Sequence, residues 1–222
     1  KLATLLRLKA CNFPPALSPS QRTTANTMHP QNTALILIGY QNDYFAEDGI
    51  LNAVISDSAA AVGTLKNTLQ LLDDLTKTDV TIITTPIVFS PNYQELNNPI
   101  GILKTIQEIG AFKDGTSGAE TIPEIQALGD RVIQVQGKQS LNAFSNTDLQ
   151  TTLKSRSIEN VVIAGAVTSV CIDSTARAAF EDGYSVTVLS DCTAGRTHAE
   201  QEMFCNSIFP VFSHVITSHD LL

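Results

Sequence analysis

Apolar residues in this chain cluster in short segments, separated by longer stretches that repeat every three or four positions. Residues 34–38 and 161–164 are unbroken apolar runs, and 80–84, 131–135 and 184–189 are shorter mixtures rich in Val and Ile that also read as strands. A continuous apolar run is what a strand covered on both faces requires, whereas a half-exposed strand alternates. Residues 215–217 make a sixth, shorter candidate. Between the runs lie helical patterns. In 51–79, Val62, Leu65, Leu69 and Leu72 recur at spacings of three and four. Residues 147–155, 172–182 and 199–209 also read as helices. The stretch 90–130 is irregular and rich in Asn, Gly and Pro, with one helix near 102–109; so long a connection in a compact domain is usually functional. Strands alternating with helices predict an α/β fold: a three-layer sandwich around a mostly parallel, Rossmann-like sheet of about six strands. In such sheets the ligand site lies at the carboxyl ends of the strands. Gly39, Lys138 and Cys171 each follow an expected strand closely and are placed to converge there.

One segment carries more chemistry than the rest. Val161 to Ala164 form a buried strand, Gly165 ends it, and Thr168 and Ser169 are N-cap residue types. A helix is expected from 172 to 182, closed by Gly183 as its C′ residue. Cys171 then sits at a helix start, where backbone N–H groups lack helical partners. That position favours a thiolate and offers hydrogen bonds to an oxyanion. The plainer reading is a small buried residue; the strand–turn–Cys–helix context favours a nucleophile.

The chain has 222 residues, enough for one α/β domain, and no apolar run is long enough to span a membrane. Residues 1–33 hold four basic residues and no acid, so the remaining ten basic residues against all 22 acids put 34–222 near −12. An acidic body argues against nucleic acid or an anionic membrane surface as partner. Cys11, Cys171, Cys192 and Cys205 form no CxxC pair, and His is too sparse for a zinc cluster. They read as reduced, in a cytoplasmic protein without metal or cofactor.

Residues 1–32 differ in character and read as an N-terminal extension outside the core fold, with the domain spanning 33–222. Met28 resembles a natural start, which makes 1–27 an added segment. A basic, hydroxyl-rich, acid-free transit peptide for organellar import and an arm packing on a neighbouring subunit remain open alternatives.

Several separated motifs now stand in a fixed order. They are Ala34–Phe45 with its Gln41-Asn42-Asp43 loop, Gly115-Thr116-Ser117-Gly118-Ala119-Glu120, Lys138 followed by Asn142-Ala143-Phe144 and Thr147-Asp148-Leu149, Gly165 to Ile172, and Asp191. Together they resemble the isochorismatase-like cysteine hydrolases, which include nicotinamidases, N-carbamoylsarcosine amidases, biuret hydrolases and isochorismatases. The resemblance covers about 33–222. It implies Cys171 as nucleophile, Lys138 as the cation beside it, and the N–H groups of Val167 and Cys171 as the oxyanion hole. It implies a cis peptide before Val167. Tyr44 and Phe144 would wall the pocket, Gln41 and Val170 would also face the substrate, and Gln41 with Asp43 would hold the first loop. It also implies a homo-oligomer, dimer or tetramer, with a small molecule as substrate.

The chain departs from this pattern at one position. Gly39 stands where the family has the Asp that takes the thiol proton and hands it to the leaving amine. Losing a general acid–base group costs on the order of 10²–10⁴ in rate. Gly39 is expected to leave open space beside Cys171 and Lys138. Residues 86–98 contain no His, so the Asp-x-His metal signature of nicotinamidases is absent. Three readings follow: a C–N hydrolase of a small amide or ureide with the proton supplied elsewhere; a catalytically inactive relative that binds a small molecule or a protein; or an exchanged residue at position 39, since Asp and Gly codons can differ by one base.

Overall fold

The computed structural model describes residues 28–221; the expectations for 1–27, including Cys11, lie outside them. Six strands form one sheet: β1 (Thr33–Ile38), β2 (Thr81–Thr85), β3 (Val132–Gln134), β4 (Asn160–Ala166), β5 (Ser185–Ala194) and β6 (His214–Ile216). Every pairing is parallel, in the order β3-β2-β1-β4-β5-β6. The chain therefore starts in the middle, builds outward through β2 and β3, crosses back beside β1 as β4, and builds the other half. The carboxyl ends of β1 and β4 flank the point where the order reverses, which is where open parallel sheets bind ligands.

Both faces of the sheet are covered. One face carries Leu35, Leu37, Ile82, Val162 and Ala164 against Leu71, Leu72 and Leu75 of α3 (Thr64–Leu75). The other carries Ala34, Ile36, Ile38, Ile83, Val161 and Ile163. It packs on α6 (Leu149–Ser155) through Leu149 and Leu153, and on α7 (Asp173–Glu181) through Ala176 and Ala179. Residues alternate between the two layers along each strand, and fully burying each large aliphatic side chain contributes about 1.5–3 kcal/mol.

The structure divides the single helical pattern expected over 51–79. α2 (Asn52–Val62) ends at Gly63, whose left-handed conformation turns the chain before α3. The buried face of α3 includes Thr64 and Thr68 as well as the leucines, so it is rotated from the stripe that hydrophobicity alone marks.

The long 90–130 connection contains α4 (Gly101–Ile109) and α5 (Pro123–Gln126). With α1 (Asn42–Phe45) and α2 it builds a third apolar cluster, in which Tyr44, Leu51, Ile55, Phe89, Tyr93, Ile106 and Phe112 meet Ala166 and Val167 from the end of β4. This cluster caps the carboxyl edge of the sheet.

Residues 28–32, assigned above to the extension, instead pack on the body. Met28 lies against the α3-side core, and Asn32 donates to Glu159 at 2.9 Å and accepts from Asn160 at 3.1 Å. Among the described residues no helix is long and apolar enough to cross a membrane.

Candidate active site

The site grows from the ends of β1 and β4. At Gly165 a β-carbon would lie 1.8 Å from the carbonyl oxygen of Ile38, so only glycine lets β4 approach β1 this closely. Gly39 has φ +72, and a β-carbon there would sit 2.8 Å from the carbonyl oxygen of Ala166 and 3.4 Å from Cδ2 of Tyr44. The open space expected at Gly39 is therefore not found where a side chain would begin: the Ala166 carbonyl and the Tyr44 ring take it up.

Beyond Gly39 the chain is pinned. Gln41 is completely buried, and its side chain donates to the carbonyls of Ile87 at 2.8 Å and Ala119 at 2.7 Å while accepting from the Ile87 N–H at 2.9 Å. Those bonds bind two loops to the end of β1. They also correct the expectation that Gln41 faces the substrate, because its amide is spent on backbone. Asp43 accepts from the Phe112 N–H, and a β-carbon at Gly118 would overlap its carboxylate. Burial raises the Asp43 carboxyl above its ordinary value, opposed by the Phe112 hydrogen bond. Asp43 is thus a brace between α1 and the 112–120 loops, as its place in the first loop suggested.

After β4 the Ala166–Val167 peptide is cis, and residues Thr168–Ile172 form one π-helical turn in which the Val167 carbonyl accepts from Val170 and Ile172. α7 then continues to Glu181, followed by Gly183 with φ +89. Cys171 lies in this turn rather than at the start of a regular helix, and is 8% exposed. Thr168 and Ser169 do not cap it. Thr168 pairs with Gln201, and Ser169 donates to Glu200. Both partners come from α8 (His198–Met203), which sequence spacing did not connect to the turn. Burial works against the charge on Glu200, but bonds from Ser169 and Arg196 outweigh it and hold the carboxyl below its ordinary range.

Lys138 comes from the loop after β3, which Ile87 and Val88 hold in place by pairing with residue 138. Its side chain is 1% exposed, and Nζ donates to the Cys171 sulfur at 3.7 Å. Among the described residues Lys138 has no carboxylate within ion-pairing distance. A buried ammonium needs an acceptor, and the sulfur is the side chain placed to answer it.

Tyr44 is 3% exposed, its ring tilted against Phe112 at 5.2 Å, in the same cluster as Ala166 and Val167. Val170 packs partly buried between this cluster and the α7 side. Phe144, expected to wall the pocket, stacks on Tyr184 at 6.2 Å, beyond the far end of α7. Phe144 is partly buried against the same cluster that holds Cys171. A cleft of about 310 Å³ is lined by Glu95, Asn97, Gln139, Ser140, Ser145 and Asn146 among others, and Lys138, Cys171 and Tyr44 are not part of its lining. Thr85, at the end of β2, buries a hydroxyl without a hydrogen-bond partner. Among the described residues no group of three His, Cys, Asp or Glu gathers to hold a metal.

With this geometry in hand, comparison with known proteins is informative. A family model described as the isochorismatase domain matches residues 33–220. A ureidoacrylate amidohydrolase of Rhizobium rhizogenes is 29% identical over 180 residues, 75% of this chain and 72% of that protein. Nicotinamidase 3 of Arabidopsis thaliana is 28% identical over 161 residues, 72% of each. Among solved structures, a cysteine hydrolase from Pseudomonas syringae pv. phaseolicola superposes with a TM-score of 0.74 at 22% identity, over 88% of this chain and 92% of that one, a likeness of fold.

Proposed function

The chain belongs to the isochorismatase family, and on that premise we propose that it hydrolyses the C–N bond of a small amide or ureide, with Cys171 as nucleophile and Lys138 as its neighbouring cation. One observation carries this reading: a buried ammonium 3.7 Å from a cysteine sulfur, at the point where the strand order reverses. A sulfur so paired is an activated nucleophile. It attacks the carbonyl carbon, the N–H groups of Val167 and Cys171 receive the oxyanion, the nitrogen departs, and water releases the acyl group from sulfur. The names of the relatives, an amidohydrolase and a nicotinamidase, support an amide-type substrate.

The test is ammonia release from a panel of small amides and ureides, comparing the wild-type protein with Cys171→Ala. Turnover that disappears in Cys171→Ala supports the reading; turnover that survives refutes it. Gly39 favours a second reading, a relative that binds a small molecule or a protein without turning it over. No turnover by the wild-type protein on the panel would bring that reading forward.

A further inference from the structure

The hydrolase reading leaves one proton unassigned. An amide nitrogen leaves only when protonated, and the usual supplier at the end of β1 is here Gly39. The neighbouring candidates are occupied. Asp43 is engaged with the Phe112 N–H and packed against Gly118. Gln41 is engaged with Ile87 and Ala119. The unpartnered Thr85 hydroxyl is fully enclosed, with 0% exposure, out of reach of a substrate atom.

Tyr44 differs from all three. Its ring edge lies 3.4 Å from where the first atom of a side chain at position 39 would be, so it occupies that side chain's neighbourhood. Phe112 holds the ring, and the surrounding cluster contains Ala166 and Val167, which lead into the Cys171 turn. Nine-tenths or more of the side chain is buried, yet no side-chain hydrogen bond holds its hydroxyl among the described residues. Burial, then the nearby charges of Cys171 and Asp43, push this hydroxyl well above its ordinary value. It stays neutral, gives its proton only to a strong base, and becomes a strong base once it has done so.

We propose that Tyr44 is the proton donor and acceptor of this site, in the place of the missing carboxylate; the proposal rests on the cysteine-hydrolase reading. In acylation the Cys171 thiolate forms the C–S bond, the C–N bond breaks, and the Tyr44 hydroxyl protonates the departing nitrogen. In deacylation water forms the new C–O bond while its proton returns to the Tyr44 phenolate, and the C–S bond breaks to restore the thiolate. The sum is amide plus water giving acid plus amine, with both residues regenerated. The cycle starts and ends with the sulfur beside the Lys138 side chain.

The test is Tyr44→Phe, which removes one oxygen and keeps the ring against Phe112. Amide kcat/KM should fall by roughly 10²–10⁴, the range for one acid–base group. The acylation burst with a p-nitrophenyl ester of the same acyl group should stay near wild type, because that leaving group departs without a proton. Iodoacetamide should alkylate Cys171 at an unchanged rate. Equal losses on amide and ester would mean a packing role, and an unchanged amide rate would mean none; either overturns the proposal. Should Tyr44→Phe fold poorly, 3-fluorotyrosine at position 44 keeps the shape and acidifies the phenol. Amide kcat/KM should then change while the ester burst stays at the wild-type level, and an unchanged amide rate overturns the proposal. Amide turnover that survives in Cys171→Ala, or is absent from the wild type, sinks the hydrolase reading and this proposal with it. Turnover that needs Cys171 but not the Tyr44 hydroxyl sinks the Tyr44 role alone.

Discussion

Gly39→Ala measures how tightly the end of β1 is built, and its cost follows from two separable effects. The first is conformational: an L-residue in the left-handed region costs about 1–2 kcal/mol. The loss of glycine's freedom in the unfolded chain returns about 0.4–1 kcal/mol. Gly63→Ala isolates this part, because Gly63 has nearly the same φ, +69 against +72. A β-carbon at Gly63 would meet only the Asn67 side chain, at ordinary distances of 3.6 Å and more. The second effect belongs to Gly39 alone. Its β-carbon would lie 2.8 Å from the Ala166 carbonyl oxygen, in a region where Ile38, Ala166 and Val167 are all 0% exposed and have no room to give way. Overpacking of this kind costs about 1–3 kcal/mol. Urea unfolding of both variants should therefore place Gly39→Ala about 1–3 kcal/mol below Gly63→Ala. Equality within about 0.5 kcal/mol, the scatter of independent sites, would refute the reasoning. The same contact faces Gly39→Asp. An Asp there does not simply fill open space: it should displace Ala166 first and lose stability.

Four further outcomes are expected. Iodoacetamide should label Cys171 ahead of Cys192 and Cys205, whose thiols burial pushes up to about 12 and about 11; peptide mass spectrometry showing either buried cysteine labelled first would remove Cys171 as nucleophile. Because those folded-state values exceed the ~8.5 of an unfolded thiol, the folded protein holds its protons longer, so stability should be level below about pH 8.5 and fall as pH rises toward 11. Urea midpoints that stay flat across that alkaline range would contradict it. Lys138→Met removes the cation beside the sulfur while keeping the length of its stem, so alkylation of Cys171 at neutral pH should slow; unslowed alkylation would show that the ammonium does not act on the sulfur. Phe180, Met203 and Val211 are 51%, 51% and 78% exposed, so light scattering should give a dimer or larger and Phe180→Glu with Val211→Glu should reduce it; a wild-type monomer mass at micromolar concentration would count against self-association.

The sheet was legible in the sequence because its strands are short segments rich in Val and Ile, unbroken at 34–38 and 161–164 where β1 and β4 are buried throughout. All six strands lie where those runs placed them, within a few residues. β5 is the largest departure: it runs on to Ala194 through Ser190 and Asp191, whose side chains find partners at the far edge, Ser190 on the Ile216 carbonyl and Asp191 on Ser218. Helices were less legible. The hydrophobic stripe of 51–79 continues across Gly63 as if no turn existed, and polar Thr64 and Thr68 are buried because they hydrogen-bond to the carbonyls of Thr193 and Thr64. The fates of Phe144, Thr168 and Ser169 were not legible at all. Each depends on a partner dozens of residues away, Tyr184, Gln201 and Glu200, and no local period encodes such a meeting.

The contacts of the first loop also change what its motif means. Gln41 and Asp43 do mechanical work: they bolt the 87 and 112–120 loops to the end of β1. A Gly-for-Asp exchange at 39 leaves every one of those bonds standing, so a sequence can keep the motif, and the fold that depends on it, whether or not the site works. The motif is then a report on architecture. Evidence for activity has to come from groups with no structural excuse. Lys138 qualifies, because a loop lysine buried to 1% against a sulfur is a poor way to stabilise a fold. Tyr44 packs on Phe112 through its ring, a contact that a phenylalanine would make as well, so its hydroxyl is surplus to that packing. The catalytic proposal rests on that one buried lysine, set on a cysteine at the reversal of the strand order.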